Sequence, residues 1–282
     1  MIGGRHYQGR LRENPETGRG HQGGKDLAMH ALGIDIGGTG IKGAPVDLDT
    51  GKLLADRNKI ATPHPATPEA VTEVVKQVAA SFNWTGVTGA TFPGVVINGT
   101  IRSAANVDKT WIGTDAATLF GKAVGTHIAV LNDADAAGVA EMTFGAGKGV
   151  RGTVLMLTFG TGVGSALFTG GLLVRNTEFG HLEIRGKDAE KRASEHGKIE
   201  HGWGWREWTD RVSEYLQRVE ALVSPELIIV GGGISKESEK WIPLLTGVHA
   251  RIVPAALLND AGIVGAAMAA GGRGVTAEDA EE

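Results

Sequence analysis

The sequence contains no cysteine. Disulfides are therefore excluded, and so is any thiolate metal site; the expected compartment is the reducing cytoplasm. No apolar run approaches the roughly 18 residues of a membrane span. The polar, glycine-rich start of the chain shows no signal-peptide core, so no membrane partner is expected. Neither sign of charge is in large excess: 28 Lys and Arg against 32 Asp and Glu leave a net of −4. That balance speaks against nucleic acid as a partner while leaving room for a local basic groove. What the chain has in quantity is glycine, 44 of 282 residues, gathered in turns and not in a collagen-like period. At 41% hydrophobic and 21% charged residues, the composition is that of a globular protein, long enough for two α/β domains.

The glycines mark a repeat. Residues 33–43 read GIDIGGTGIKG and residues 155–166 read LMLTFGTGVGSA. Both have the plan of an apolar strand, a turn of glycine and threonine, and a second strand. Each is followed by a further turn and an apolar pair, Leu53-Leu54 in one case and Leu172-Leu173 in the other. A tight turn of this kind exposes several backbone N–H groups with no side chain in the way, forming a nest that a phosphate chain can approach closely. Two nests, one in each half, predict two similar domains holding a phosphate donor between them.

The rest of the chain fits this plan. Strands are expected at 31–35, 41–48 and 53–60, then at 87–92 and 127–131. A second meander covers 152–175, and a strand at 227–230 follows. Thr67-Pro68 opens a helix whose apolar face is Val71, Val74, Val75, Val78 and Phe82. Asn132-Asp133 opens another helix over 134–142. Val212, Tyr215, Leu216, Val219, Leu222 and Val223 mark a third, and small residues at 261–270 a last one. Strands alternating with helices give an α/β fold, and the duplicated meander favours a two-domain actin-like (ribonuclease H-like) architecture over one doubly wound sheet. The expected divisions are a disordered leader (1–29, with Met29 an alternative start), an N-terminal α/β domain (30–131), a C-terminal α/β domain (132–253), a helix returning to the N-terminal domain (254–271) and an acidic tail (272–282).

Several residues carry candidate chemistry. Asp35, directly before Gly37, Gly38 and Thr39, can orient Mg²⁺ or its waters beside donor phosphates, or merely cap the turn. Lys42 either neutralises a phosphate or is an exposed strand lysine. Thr158, Gly160, Thr161 and Gly162 form the second nest. Gly231, Gly232 and Gly233 follow an apolar strand, as a nucleotide contact or as a tight turn. Asn132 and Asp133 sit at a strand end and helix start, where ligands gather in α/β folds; they read as a base with a hydroxyl-binding neighbour, or as N-caps. Glu178 and His181 can donate to and accept from a polyol. His201, Trp203, Trp205 and Trp208 read as core or lid packing before ligand stacking. Lys109, Lys122, Lys148 and Arg151 are surface candidates for a polyanion track.

These stretches, together with FPGVV at 92–96, AANVDKTWIGTD at 104–115, LNDADAAG at 131–138, EFGHLE at 178–183 and IIVGGGIS at 228–235, resemble the ROK family of sugar kinases and repressors, in the branch that uses polyphosphate. The resemblance covers roughly residues 30–270. It implies a glucokinase taking inorganic polyphosphate, ATP or both, acting on glucose and in some members mannose, with Mg²⁺ as cofactor and a homodimer as the assembly. It implies Asp133 as the base, Asn106, Asn132, Glu178 and His181 on sugar hydroxyls, and the two Gly/Thr turns on phosphates. Many members carry a cysteine-rich zinc loop ending in a sugar-binding glutamate. Here GKDAEKRASEHGKIE at 186–200 occupies that region without a cysteine. Glu190 is the expected replacement, with Glu195 and Glu200 as alternatives. A repressor would need a helix-turn-helix segment before the first nest, and no such pattern stands there. An ATP-only kinase for another hexose or an N-acetylhexosamine is the competing reading.

Overall fold

The computed structural model describes residues 29–104 and 107–273. The expectations for the leader, the acidic tail beyond Arg273 and Asn106 lie outside the described residues. The run HALGIDI forms β1 (His30–Ile36) and IKGAPVD returns as β2 (Ile41–Asp47), antiparallel, with Ile36 opposite Ile41. β3 (Asn58–Ile60) continues the meander. It is shorter than the expected 53–60. Leu53 keeps only an isolated bridge to Val46, and Arg57 turns away to Asp260 at 2.9 Å. β4 (Thr88–Phe92) and β5 (Ile128–Asn132) add on in parallel, giving the order β3-β2-β1-β4-β5. Helix α1 (Pro68–Ser81) starts as read, with the Thr67 hydroxyl accepting from Ala70 N–H at 3.3 Å and Val71, Val75 and Val78 buried against the sheet. Helix α2 (Ala116–Val124) is capped by Asp115 and stops at Gly125, whose φ of 84° suits glycine.

The second half repeats this plan. β6 (Val154–Phe159), β7 (Val163–Thr169) and β8 (Leu172–Val174) form the meander, and β9 (Leu227–Gly231) and β10 (Arg251–Pro254) follow in parallel, ordered β8-β7-β6-β9-β10. The three other long helices are α3 (Asp133–Phe144), α4 (Trp205–Val223) and α5 (Ala261–Ala270), with shorter helical turns at Glu190–Ala193, Glu195–Glu200 and Ser238–Trp241. Helix α4 begins earlier than its apolar stripe suggested and takes Trp205 and Trp208 into its first turn. Trp208 is fully buried, donates its indole N–H to Ala193 O and Ser194 O at 3.0 and 3.1 Å, and packs edge-on to Phe159 and Trp241. It is core.

Helices α3 and α5 join the halves. Both are rich in alanine and glycine and buried nearly all round, as expected of helices with packing on every side. They lie against each other, and α5 also rests on β1 and β4. The approach is close enough that a Cβ on Gly33, Gly89 or Gly265 would overlap the carbonyl of Ile263, Ala266 or Ala136. One buried cluster therefore runs from Val46 through Val139, Ala140, Val264 and Met268 to Met156 and Phe168 of the second sheet. The fully buried Glu141 secures the far end of α3. Its carboxylate accepts from Ala146, Ala256 and Leu257 N–H at 2.8, 3.1 and 2.7 Å, tying α3 to the segment that leads into α5. Three donors satisfy the oxygens of a carboxyl that would otherwise be buried without partners.

Candidate active site

The first glycine turn links β1 to β2, closed by Gly37 N–H to Gly40 O at 3.1 Å. A Cβ on Gly38 would meet nothing within 4 Å, so open space lies in front of the turn. Asp35 stands at its base. One carboxylate oxygen accepts from the Thr91 hydroxyl at 2.8 Å, and the other pairs with Lys42 Nζ at 3.0 Å. Thr91 in turn accepts from Ile36 N–H at 2.9 Å. Of the two roles open to Lys42, this structure shows it engaged with Asp35. The first turn of α5 abuts the same carboxylate, since a Cβ on Gly262 would lie 2.8 Å from the Asp35 carboxyl carbon.

The second turn is one residue shorter. Gly160 N–H bonds to Gly162 O at 3.0 Å, and again open space faces its first glycine. Thr158 and Gly164 occupy the register positions that Asp35 and Lys42 hold in the first half. Behind them, β9 ends in the triple glycine. A Cβ on Gly231 would press on Met156 at 2.7 Å, and one on Gly232 (φ 85°) would overlap Phe159 O. Close passage of β9 behind β6 is thus enough to require both glycines. Gly233 faces the Glu195 carboxylate.

Between the turns lies the N-terminus of α3. Asn132 caps the helix, its side-chain oxygen accepting from Ala134 and Asp135 N–H at 2.9 and 3.0 Å, while its amide donates to Gly94 O at 3.1 Å. Asp133 follows, half-buried, accepting from Ala134 N–H at 2.8 Å. Burial pushes its carboxyl up to about 7, and the charges of Asp35, Glu178 and Asp135 add to the rise against that one hydrogen bond. Carboxylates from both halves therefore converge here. Asp135, buried one residue further on, is also raised to about 7, chiefly by desolvation. One of its oxygens accepts from Asn176 N–H at 2.9 Å and the other is a buried atom without a hydrogen-bond partner among the described residues.

Asn176 makes a contact that no sequence pattern predicts. At φ 59°, its side chain exchanges two hydrogen bonds of 2.9 Å with the backbone of Val96, in the loop after β4. The segment leading to Glu178 is thereby tied to the first half. Burial raises the Glu178 carboxyl, with His181 opposing and Glu190 reinforcing the shift. His181, Asp188 and Glu190 bring one donor atom each within 4.8 Å of one another. Glu190 Oε2 accepts from Val163 N–H at 3.2 Å, so this glutamate links the His181–Asp188–Glu190 cluster to the second turn. Its alternatives point elsewhere: Glu195 beside Gly233, and Glu200 exposed beside His196 at 3.7 Å. His201 stacks on Trp203 at 4.3 Å, and the Arg211 guanidinium lies over the same Trp203 ring at 3.8 Å. Lys109, one of the track candidates, donates to Ala104 O at 2.8 Å.

Residues 31–201 match the model of the ROK family. The chain belongs to the ROK family. It is 52% identical over 247 residues to the polyphosphate glucokinase of Mycobacterium tuberculosis (strain CDC 1551 / Oshkosh), covering 87% of this chain and 93% of that protein. Among solved structures it is similar to the inorganic polyphosphate/ATP-glucomannokinase of Arthrobacter sp. strain KM, with a TM-score of 0.84, 50% identity and coverage of 86% and 98% of the two chains. The ROK family glucokinase of Streptomyces griseus, in complex with glucose and AMPPNP, gives a TM-score of 0.72 at 27% identity, covering 84% and 98%. This ROK chain has the actin-like two-domain α/β fold expected from its duplicated meanders. No helix among the described residues is long and apolar enough to cross a membrane.

Proposed function

We propose that this protein transfers a phosphoryl group from inorganic polyphosphate or ATP to the 6-hydroxyl of glucose, and that mannose is a second acceptor. The observation that carries the reading is the Asp133 carboxyl. It lies at the N-terminus of a helix shared by both halves, close to Asp35 and Glu178, with its pKa raised to about 7. A carboxylate of that basicity is matched to accepting a hydroxyl proton near neutral pH, a step worth about 10²–10⁴-fold. The 6-oxygen attacks the terminal phosphorus as its proton passes to Asp133, and the bond to the bridging oxygen breaks, leaving ADP or a polyphosphate shorter by one unit. Gly38 and Thr39 of the first turn and Thr161 and Gly162 of the second present backbone N–H groups to the donor, while Gly37 and Gly160 close the turns, with Thr158 and Gly231–Gly233 on its second-half side. Asn132, Glu178, His181 and Glu190 take the sugar hydroxyls, joined by Asn106.

The oxygen donors at Asp35 are of the hard kind that Mg²⁺ accepts, and the Lys42 contact favours binding through water over direct ligation. Mg²⁺ held there supplies charge to offset that on the donor phosphates. We place the hinge between the 30–131 and 132–253 halves, with 254–271 returning to the first. Closure about it excludes water from the transfer. The absence of cysteine and the donors favour the cytoplasm as the site of the reaction.

The test is glucose 6-phosphate formation by the purified protein with Mg²⁺, with ATP in one reaction and long-chain polyphosphate in another. Product with polyphosphate is the expected result. Product with ATP alone removes the polyphosphate assignment, and product with neither overturns glucose as acceptor.

A further inference from the structure

His181 reaches the acceptor cluster from a short 3-10 turn, Phe179–His181, whose backbone is fixed. A Cβ on Gly180 would overlap Val163 O, and Phe179 N–H is held by the Ser165 hydroxyl at 3.0 Å. The imidazole itself is less constrained, with its side chain 46% exposed. Its Nε2 lies 3.9 Å from Glu178 Oε2, and its Nδ1 lies 3.2 Å from Asp188 Oδ2. A carboxylate only accepts, so this contact places the hydrogen on Nδ1 and leaves Nε2 facing Glu178.

We propose that Asp188 is a positioning residue for sugar binding: it sets the tautomer and the ring orientation of His181, so that Nε2 is presented to a hydroxyl of the acceptor. The inference rests on the reading of His181 and Glu178 as sugar-binding residues.

The local fold explains how Asp188 comes to be there. Residues 183–188 form a small hairpin in which Glu183 faces Asp188 and Ile184 faces Lys187. Its two turn residues, Arg185 and Gly186, both have positive φ, 56° and 75°, the signature of a type I′ turn that fixes hairpin register. Ala189 N–H closes back on Leu182 O at 2.8 Å. With that register, Asp188 returns beside His181 and makes the 3.2 Å contact with its Nδ1, while Glu190 closes the other side of the cluster. Arginine at positive φ is strained, and the strained residue is held from outside, its Nε donating to Glu214 of α4 at 2.7 Å. The chain of support runs from α4 through Arg185 and the hairpin to Asp188 and the imidazole.

The experiment compares Asp188→Ala, Asp188→Asn and His181→Ala in the full-length protein, with KM for glucose and kcat measured separately at saturating donor, and ¹⁵N NMR of the His181 ring in the free protein. Asp188→Ala is expected to raise KM about tenfold with kcat within about twofold, the scale of one lost charge-assisted hydrogen bond. Asp188→Asn, whose side-chain oxygen can still accept from Nδ1, should recover most of that loss. The ring nitrogens should show the Nδ1–H tautomer in the wild type and a mixture in Asp188→Ala. Unchanged KM in Asp188→Ala, or an Asn variant as poor as Ala, overturns the role. So does a wild-type ring spectrum that shifts on adding a chelator, because a cation would then hold the ring. If His181→Ala itself leaves KM unchanged, the reading of the sugar site falls. If His181→Ala raises KM and Asp188→Ala does not, only the role of Asp188 falls.

Discussion

The first sheet carries Asp35 and Lys42 at the two register positions where the second carries Thr158 and Gly164. Strand order and strand sense are otherwise the same in both halves, and each has a glycine turn, one residue shorter in the second. The crossing helices differ in a parallel way. α3 opens on Asn132-Asp133 with a side-chain cap, whereas α5 opens on Asp260-Ala261 with none. The two nests that present backbone N–H groups are thus kept in duplicate, while the carboxylate–lysine pair at the base of the turn is confined to the first copy. This division follows from what each task needs. Holding a phosphate chain from both sides takes two similar backbone surfaces, but proton transfer needs a single carboxylate whose environment has been made unlike its counterpart's.

The largest effect should come from erasing that carboxylate. Asp133→Asn is expected to lower kcat by about 10³-fold or more while glucose still binds, because the amide can keep the Ala134 hydrogen bond but cannot take a proton. The same variant sharpens the argument through stability. The Asp133 carboxyl is raised in the folded protein to about 7 from an ordinary value of 3.8. The folded state therefore holds the proton more tightly than the unfolded state does. Its stabilising contribution is fully present below about pH 4 and is lost as pH rises through 7. In metal-free buffer, wild-type Tm should fall between pH 5 and 8 more steeply than that of Asp133→Asn, and the inactive variant should be the more stable of the two at pH 8. Parallel Tm curves would mean that the carboxyl is not perturbed as described.

A second change makes the first half resemble the second. Asp35→Thr combined with Lys42→Gly transplants the Thr158 and Gly164 chemistry onto the first turn. The expected result is a loss of about 10²-fold in kcat with either donor, the scale of removing one preorganised charged group from a transfer site. Little change in Tm is expected, because an ion pair with 24% and 16% side-chain exposure offers modest net stability once its desolvation is counted. A double variant retaining kcat within threefold would show that the charge asymmetry between the halves is incidental.

Much of this was legible in the sequence, for reasons that differ from residue to residue. The two nests were visible because repetition turns a weak glycine signal into a strong one, and Asp133 because a strand end followed by Asn-Asp is both a cap and a ligand position. The small-residue run at 261–270 marked the last helix, whose burial on nearly every side is a finding of the structure. The partners of the site residues were not legible. Thr91 lies 56 residues from Asp35, Asn176 lies 80 residues from Val96, and no periodicity links either pair. Asp188 depends on a hairpin register set by Arg185 at positive φ, where pattern alone predicts no turn. The strand expected at 53–60 failed because Arg57 has a partner outside the sheet, Asp260, that local sequence does not reveal.

The smallest effects should separate the two crossing helices by what their glycines touch. A Cβ on Gly138 of α3 would meet the Phe168 ring at 2.7 Å and the Ala166 side chain at 2.9 Å, and the ring can shift. A Cβ on Gly265 of α5 would overlap the Ala136 carbonyl, part of the α3 backbone itself, so the two helices must separate to admit it. Alanine favours a helix interior by about 1 kcal/mol over glycine, and overpacking costs about 1–3 kcal/mol. The terms nearly cancel at Gly138, whereas at Gly265 the backbone collision puts the cost at the upper end. Denaturant unfolding should therefore find Gly138→Ala within about 1 kcal/mol of wild type and Gly265→Ala destabilised by about 2 kcal/mol. Equal costs would mean that the α3–α5 contact yields as easily as a side chain does. The shared core would then be a soft joint between the halves and not the rigid axis on which Asp133 is mounted.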